Sequence, residues 1–294
     1  MKRSYKTVNF RAESLEAIRR VNEIIATYQA QGLRLTLRQL YYQLVTVNAI
    51  RNEERAYKGL GKTVSEGRLA GLIDWDAIED RGRRPAVPSE WQNVAELVES
   101  ALAAYRLPRW KGQSSYVELW VEKDALSGVL APLADEFHVT LGVNKGYNSQ
   151  SAMREAAQRI FRGAHPRKQT VVLYLGDHDP SGEDMVRDVR DRLVMFGLTE
   201  IDVRKVAITF EQVQQYNPPP NPTKMSDSRA GGYVEKFGDE CWEVDALPPN
   251  VLADLVREAF EGLVDLTLME TVKDREEADK VKLRTAAARL VRDA

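Results

Sequence analysis

The sequence predicts an α/β protein in two parts, a mostly helical front (residues 1–110) and a mainly parallel α/β back (residues 111–294). Three observations carry this. In the front, apolar residues recur at helical spacing. In the back, short apolar runs alternate with helix-length stretches, the signature of βα units. The runs Tyr116–Val121 and Thr170–Leu175 are almost continuously apolar, as strands buried on both faces are.

Taken in order, Leu15, Ile18, Val21, Ile24 and Ile25 give residues 12–31 one apolar stripe, hence an amphipathic helix. Thr36 is placed to N-cap a second helix running through Leu37, Leu40, Tyr41 and Leu44. A third helix is expected over 62–70, entered through the glycines of Tyr57-Lys-Gly-Leu-Gly-Lys. The stretch from Ile73 to Arg84 reads as a short strand and a basic loop, and three short helices followed by a wing describe a winged helix-turn-helix. In that reading Arg81, Arg83 and Arg84 lie on the wing, and Lys62 and Arg68 on the helix that approaches DNA. A solvated loop is the alternative for the arginine cluster.

A helix over 91–105 and the segment Leu107–Gly112 form the boundary. Beyond it the expected order is strand 116–122, helix 125–137, strand 139–144, helix 150–162, strand 170–176, helix 182–196, strand 203–209 and helix 211–216. The proline-rich stretch 218–222 reads as an extended loop, and helices near 249–263 and 270–291 close the chain.

Composition narrows the function classes. One cysteine, Cys241, excludes an internal disulfide, and no signal-type apolar segment follows Met1–Lys6, so a cytoplasmic location is expected. No apolar run is long enough for a membrane span. Three histidines without ligand-like spacing argue against structural zinc. The first 110 residues carry 18 Lys and Arg against 13 Asp and Glu, and the remainder 24 against 31. A basic front and an acidic back fit a nucleic-acid contact beside a metal site.

The chemistry concentrates in Val121-Glu122-Lys123 and in Gly176-Asp177-His178-Asp179-Pro180-Ser181-Gly182, each following a predicted strand. In open α/β sheets ligands gather at the carboxyl ends of the strands, so Glu122, Asp177 and Asp179 are expected to converge. Clustered carboxylates repel unless a cation neutralises them, and hard oxygen donors suit Mg²⁺. Asp179 before Pro180 has a second use, as a helix N-cap; Glu122 with Lys123 has another, as a solvated ion pair. Arg38 lies one helical turn before Tyr42, on the same face, where it can stabilise a phenolate and bind a phosphate oxygen. Tyr41 should point inward, and both tyrosines as core aromatics is the alternative. Lys145 opens on the carboxylate face as a candidate phosphate contact, and Ser149 is a helix N-cap nearby. Asp245 in Trp242-Glu-Val-Asp-Ala-Leu-Pro-Pro is either structural or a supporting acid. No phosphate-binding loop of the ATPase type is present.

A glutamate ending the first strand and Asp-x-Asp-Pro-x-Gly ending the third resemble the Toprim domain of topoisomerases, primases and related nucleases. Leu37-Arg38-Gln39-Leu40-Tyr41-Tyr42 is similar to the Arg-acid-x-Tyr-Tyr motif of the topoisomerase VI A subunit and of the meiotic double-strand-break transesterase. The resemblance covers most of the chain from about residue 11. Gln39 departs from it where an acid is frequent, as does His178 between the aspartates. The short chain looks closest to minimal, stand-alone A-like proteins.

The resemblance implies a winged-helix domain followed by a Toprim-like domain, with Tyr42 cleaving double-stranded DNA by transesterification. Mg²⁺, with Mn²⁺ able to substitute, would sit at Glu122, Asp177 and Asp179. It further implies a homodimer, in which Tyr42 of one protomer meets the metal site of the other, and a separate B-type ATPase partner. Two rivals remain: a hydrolytic Toprim nuclease with Tyr42 structural, and a non-catalytic DNA-binding module.

Overall fold

The frame is a four-stranded parallel sheet in the order β2-β1-β3-β4, with β1 at Ser115–Val121, β2 at Thr140–Val143, β3 at Gln169–Leu175 and β4 at Ile201–Ala207. The computed structural model describes residues 1–79, 88–143, 149–164 and 168–292. In the central strands successive side chains feed two cores. Val117, Leu119, Val121, Val171, Leu173 and Leu175 pack on one side against Leu130, Leu133, Val256 and Phe260. Trp120, Val172 and Tyr174 pack on the other against Met153, Ile160, Met185 and Val189. That is why these strands read as continuous apolar runs. Glu118, wholly buried on the second face, is held by Arg159 at 2.9 Å and by the Tyr116 hydroxyl and Trp120 indole at 2.8 Å.

The first core is covered by α5 (Ser127–Glu136) and α10 (Pro249–Glu261), the second by α6 (Gln150–Gly163) and α7 (Pro180–Met195). A helix at Val94–Ala104 lies on the final helix, Leu266–Arg292. Among the described residues no helix is long and apolar enough to cross a membrane.

In the front, α1 (Ala12–Gln29), α2 (Leu37–Thr46) and α3 (Glu54–Leu69) pack around Ile18, Val21, Leu40, Leu60 and Val64. α2 starts where expected, and both halves of a capping box close. Thr36 Oγ1 accepts from the Gln39 N–H at 3.2 Å, and Gln39 Oε1 accepts from the Thr36 N–H at 2.8 Å. Gln39 therefore does here what a carboxylate would do at that position.

Two local expectations give way. α3 begins at Glu54, eight residues before the expected Lys62, and runs straight through Gly59 and Gly61. A glycine costs a helix about 1 kcal/mol, which burial of Leu60 and packing of Ala56 and Tyr57 outweigh. The expected strand after Ile73 is reduced, among the described residues, to a single bridge between Leu35 and Ile78. The loop over 218–222 hides a short antiparallel ladder, β5 (Asn221–Pro222) on β6 (Glu240–Cys241), with a helix at Ala230–Phe237 between them.

Candidate active site

The strand order reverses between β1 and β3, the kind of point beyond whose carboxyl ends open α/β sheets bind ligands. Glu122 and Asp177 flank that point. The Glu122 N–H donates to Leu175 O at 2.9 Å, and the Asp177 N–H donates to Glu122 Oε2 at 3.2 Å. The two stretches singled out in the sequence meet. Burial, then the facing charges of Asp177 and Asp179, push the Glu122 carboxyl up to about 6.

Asp179 caps α7: its Oδ1 accepts from the Gly182 N–H at 2.6 Å and the Ser181 hydroxyl at 2.8 Å. The turn is tight enough that a Cβ on Gly182 would stand 2.1 Å from Asp177 O, so only glycine fits. Asp177 Oδ1 accepts from the Val244 N–H at 2.8 Å and faces Lys123 at 2.9 Å. Between them His178 is 1% exposed and pairs its backbone with Trp242 in both directions, at 2.8 and 2.9 Å. Its ring sits among Phe210, Tyr233, Phe237 and Trp242, with Nδ1 3.1 Å from the Tyr233 hydroxyl. Burial in this aromatic box lowers the imidazole to about 4. His178 thus anchors the acidic turn rather than contributing charge to it.

Lys123 is the centre of an ionic knot. Its Nζ lies 2.9 Å from Asp177 Oδ1, 2.9 Å from Glu243 Oε2 and 3.1 Å from Asp245 Oδ1. Burial works against the ammonium, but the three carboxylates outweigh it and hold the proton on. Arg38 joins from α2, bonding Glu243 and standing 3.4 Å from Asp245 Oδ2. Burial raises the Asp245 carboxyl; it opposes ionisation of Glu243 too, but Lys123 and Arg38 overcome it there and hold that carboxyl low. Sequence reasoning left Asp245 open and missed Glu243 and the ammonium's place. The signal available was the alternation Glu243-x-Asp245, which repeats the spacing of Asp177-x-Asp179.

Tyr42 is 2% exposed, with its hydroxyl accepting from Asn221 Nδ2 at 3.2 Å and the Arg38 guanidinium carbon 6.0 Å from its ring centre. Burial, reinforced by Glu243, pushes the phenol up. Tyr41 points inward as expected and donates to Asn52 Oδ1 at 2.9 Å.

The remaining candidates divide. Lys62 is 76% exposed, 3.9 Å from Glu66. Arg68 turns back to donate to the carbonyls of Trp75 and Ile78. Arg81, Arg83, Arg84 and Lys145 lie outside the described residues. Ser149 caps α6 through the Ala152 N–H at 3.1 Å. A groove of about 550 Å³ runs beside the knot, with Arg38, Tyr57, Arg68, Trp75 and Asp124 on its walls.

The donor set at Glu122, Asp177 and Asp179 suits Mg²⁺ in chemistry. Among the described residues each carboxylate engages one oxygen within the chain and leaves its other oxygen without a hydrogen bond. As they stand, no three acidic, His or Cys side chains among the described residues close around one ion-sized point. No family model, curated protein or solved structure matches the chain. The likeness noted above therefore rests on these residues and their placement.

Proposed function

We propose that the protein cleaves double-stranded DNA by Mg²⁺-dependent tyrosine transesterification, as a winged-helix domain joined to a Toprim-like domain. The observation that supports this most is the meeting of α2, bearing Arg38 and Tyr42, with Glu243 and Asp245, which share Lys123 with Asp177 at the strand-order switch. The two elements share no sequence neighbourhood, yet one arginine ties them.

In this reading Tyr42 Oη attacks a backbone phosphorus; the new tyrosyl–phosphorus bond forms as the bond to the 3′ oxygen breaks. The phenol gives up its proton to solvent as it attacks and the departing 3′ oxygen takes one from solvent, so the exchange balances while Glu122 stays ionised as a metal ligand. Arg38 holds a phosphate oxygen. Glu122, Asp177 and Asp179 would hold Mg²⁺, or Mn²⁺ in its place, which supplies neutralisation of charge on the phosphate oxygens. Lys62 and Arg68, with Arg81, Arg83, Arg84 and Lys145, are the proposed DNA contacts. The working form is a homodimer making one break per strand, with a separate ATPase as a possible controller.

One observation favours the rival hydrolytic nuclease: Tyr42 is covered by Asn221 and nearly inaccessible. Transesterification requires the 218–222 segment to release it. The two readings separate on supercoiled plasmid with Mg²⁺ or Mn²⁺, stopped with detergent and divided into protease-treated and untreated halves. Protein-linked ends that vanish in Tyr42→Phe support the transesterase. Cutting by Tyr42→Phe with no linked protein in the wild type supports hydrolysis, and absence of any cutting leaves a DNA-binding module.

A further inference from the structure

The carboxylates at this end of the sheet fall into two sets that share one member. Glu122, Asp177 and Asp179 form the first. Asp177, Glu243 and Asp245 form the second, and its centre is filled by Lys123 Nζ, with oxygens at 2.9, 2.9 and 3.1 Å.

An ammonium has three donors, and here each meets a different carboxylate. Asp245 is fully buried, and the Lys123 side chain is 22% exposed. A surface lysine keeps its head in water, whereas this one is drawn in against a desolvation cost that only close pairing offsets. Three carboxylate oxygens gathered from two separate stretches of chain are the donor chemistry of a hard divalent ion, drawn up here at ammonium distances around Lys123. The second oxygen of Asp245 strengthens the point: among the described residues Oδ2 is buried without a hydrogen bond, with Arg38 Nε at 3.4 Å. The attachment point of the lysine is fixed, because the residue before it is pinned to β3 through the Glu122 N–H and Leu175 O.

We propose that Lys123 is a tethered cation occupying the second of two cation positions offered by these acids, so that each chain takes one divalent ion rather than two. The inference rests on the proposed Mg²⁺ site for the count of one. Lys123 is then a positioning residue. It fixes Asp177 through Oδ1 and leaves Oδ2 for the ion, and it supplies permanently a positive charge that two-metal sites take from solution.

The test is the number of Mn²⁺ ions bound by the metal-free full-length protein, read by titration calorimetry and by the spin-resonance signal of free Mn²⁺. Wild type should bind one ion per chain. Lys123→Met vacates the second position and should bind two, whereas Lys123→Arg keeps a charge there and should bind one. Two ions in the wild type, or no gain in Lys123→Met, overturns the proposal. Should Lys123→Met be unfolded without metal, Mn²⁺ must refold it at two ions per chain, and failure to refold counts against the proposal. No ion in wild type with one gained by Lys123→Met would uphold the tethered cation while removing the Glu122, Asp177 and Asp179 site.

Discussion

Asn221 donates its side-chain N–H to the Tyr42 hydroxyl across 3.2 Å, joining a proline-rich segment of the back half to the second helix of the front. The same asparagine meets Asn52, whose amide also reaches Pro220 O at 2.5 Å and whose oxygen accepts from Tyr41. The Tyr42 ring lies in the front core against Tyr41, and its hydroxyl meets the Asn221 amide.

Asn221→Ala should uncover it. Tetranitromethane, which nitrates accessible tyrosines, should leave Tyr42 almost unmodified in the wild type and modify it several-fold faster in the variant, read by peptide mass spectrometry. Equal rates would mean that Asn221 is not the cover.

Arg38→Ala should loosen the junction between the halves. It removes one of the two cations serving Glu243 and Asp245, and leaves buried negative charge less well paired. Because the arginine is partly exposed, a loss of about 1–2 kcal/mol in urea unfolding is expected. Arg38→Lys should recover little, since it lacks the fixed spread of guanidinium nitrogens that sets one at Glu243 and another beside Asp245. Unchanged stability in both variants would show the contact to be energetically idle.

Glu122→Gln should stabilise the metal-free protein above neutrality. The native carboxyl sits near 6 while the unfolded one titrates near its ordinary value of 4.5. Between these values the native state holds more protons, so the native protein loses stability as pH rises and carries the full penalty above 6. Glutamine avoids the penalty. The variant should be more stable by about 1–2 kcal/mol at pH 7.5 in chelator, with the difference vanishing below 4.5. His178 contributes the opposite slope between 6.5 and 4, but it is common to both proteins and cancels in the comparison.

Lys62→Ala and Arg68→Ala should fail differently. Among the described residues Lys62 faces a distant glutamate, so its loss should leave stability unchanged and, if it meets a phosphate, lower the salt dependence of DNA binding by about one charge. Arg68 fastens two carbonyl oxygens, at Trp75 and Ile78, and its loss should cost ~1–3 kcal/mol of folding stability. Identical behaviour of the two would contradict this division.

The strands and their order along the chain were legible because burial on both faces leaves an unbroken apolar run, as in Val171–Leu175. Thr36 and Asp179 were legible as caps because capping is a local affair of three residues. The start of α3 was not, since Gly59 and Gly61 argue locally for a break that only tertiary burial overrides. The helix at Ala230–Phe237 was hidden likewise, by Gly231 and Gly232 in its first turn. At the site, Glu122 and Asp177 could be paired from strand topology alone. Glu243, Asn221 and the position of Lys123 could not, because they depend on how segments more than 90 residues apart fold against one another.

Ala246 belongs to the core of the three front helices, although it lies in the back of the chain, and two residues before it Val244 holds the acidic turn. The front therefore lacks a piece of its own interior. A single proteolytic cut between Glu79 and Pro88 should not separate the molecule: the fragments should co-elute as one particle. Acid, by protonating the carboxylates that grip Arg38 and Lys123, should release them from each other sooner than it melts the sheet.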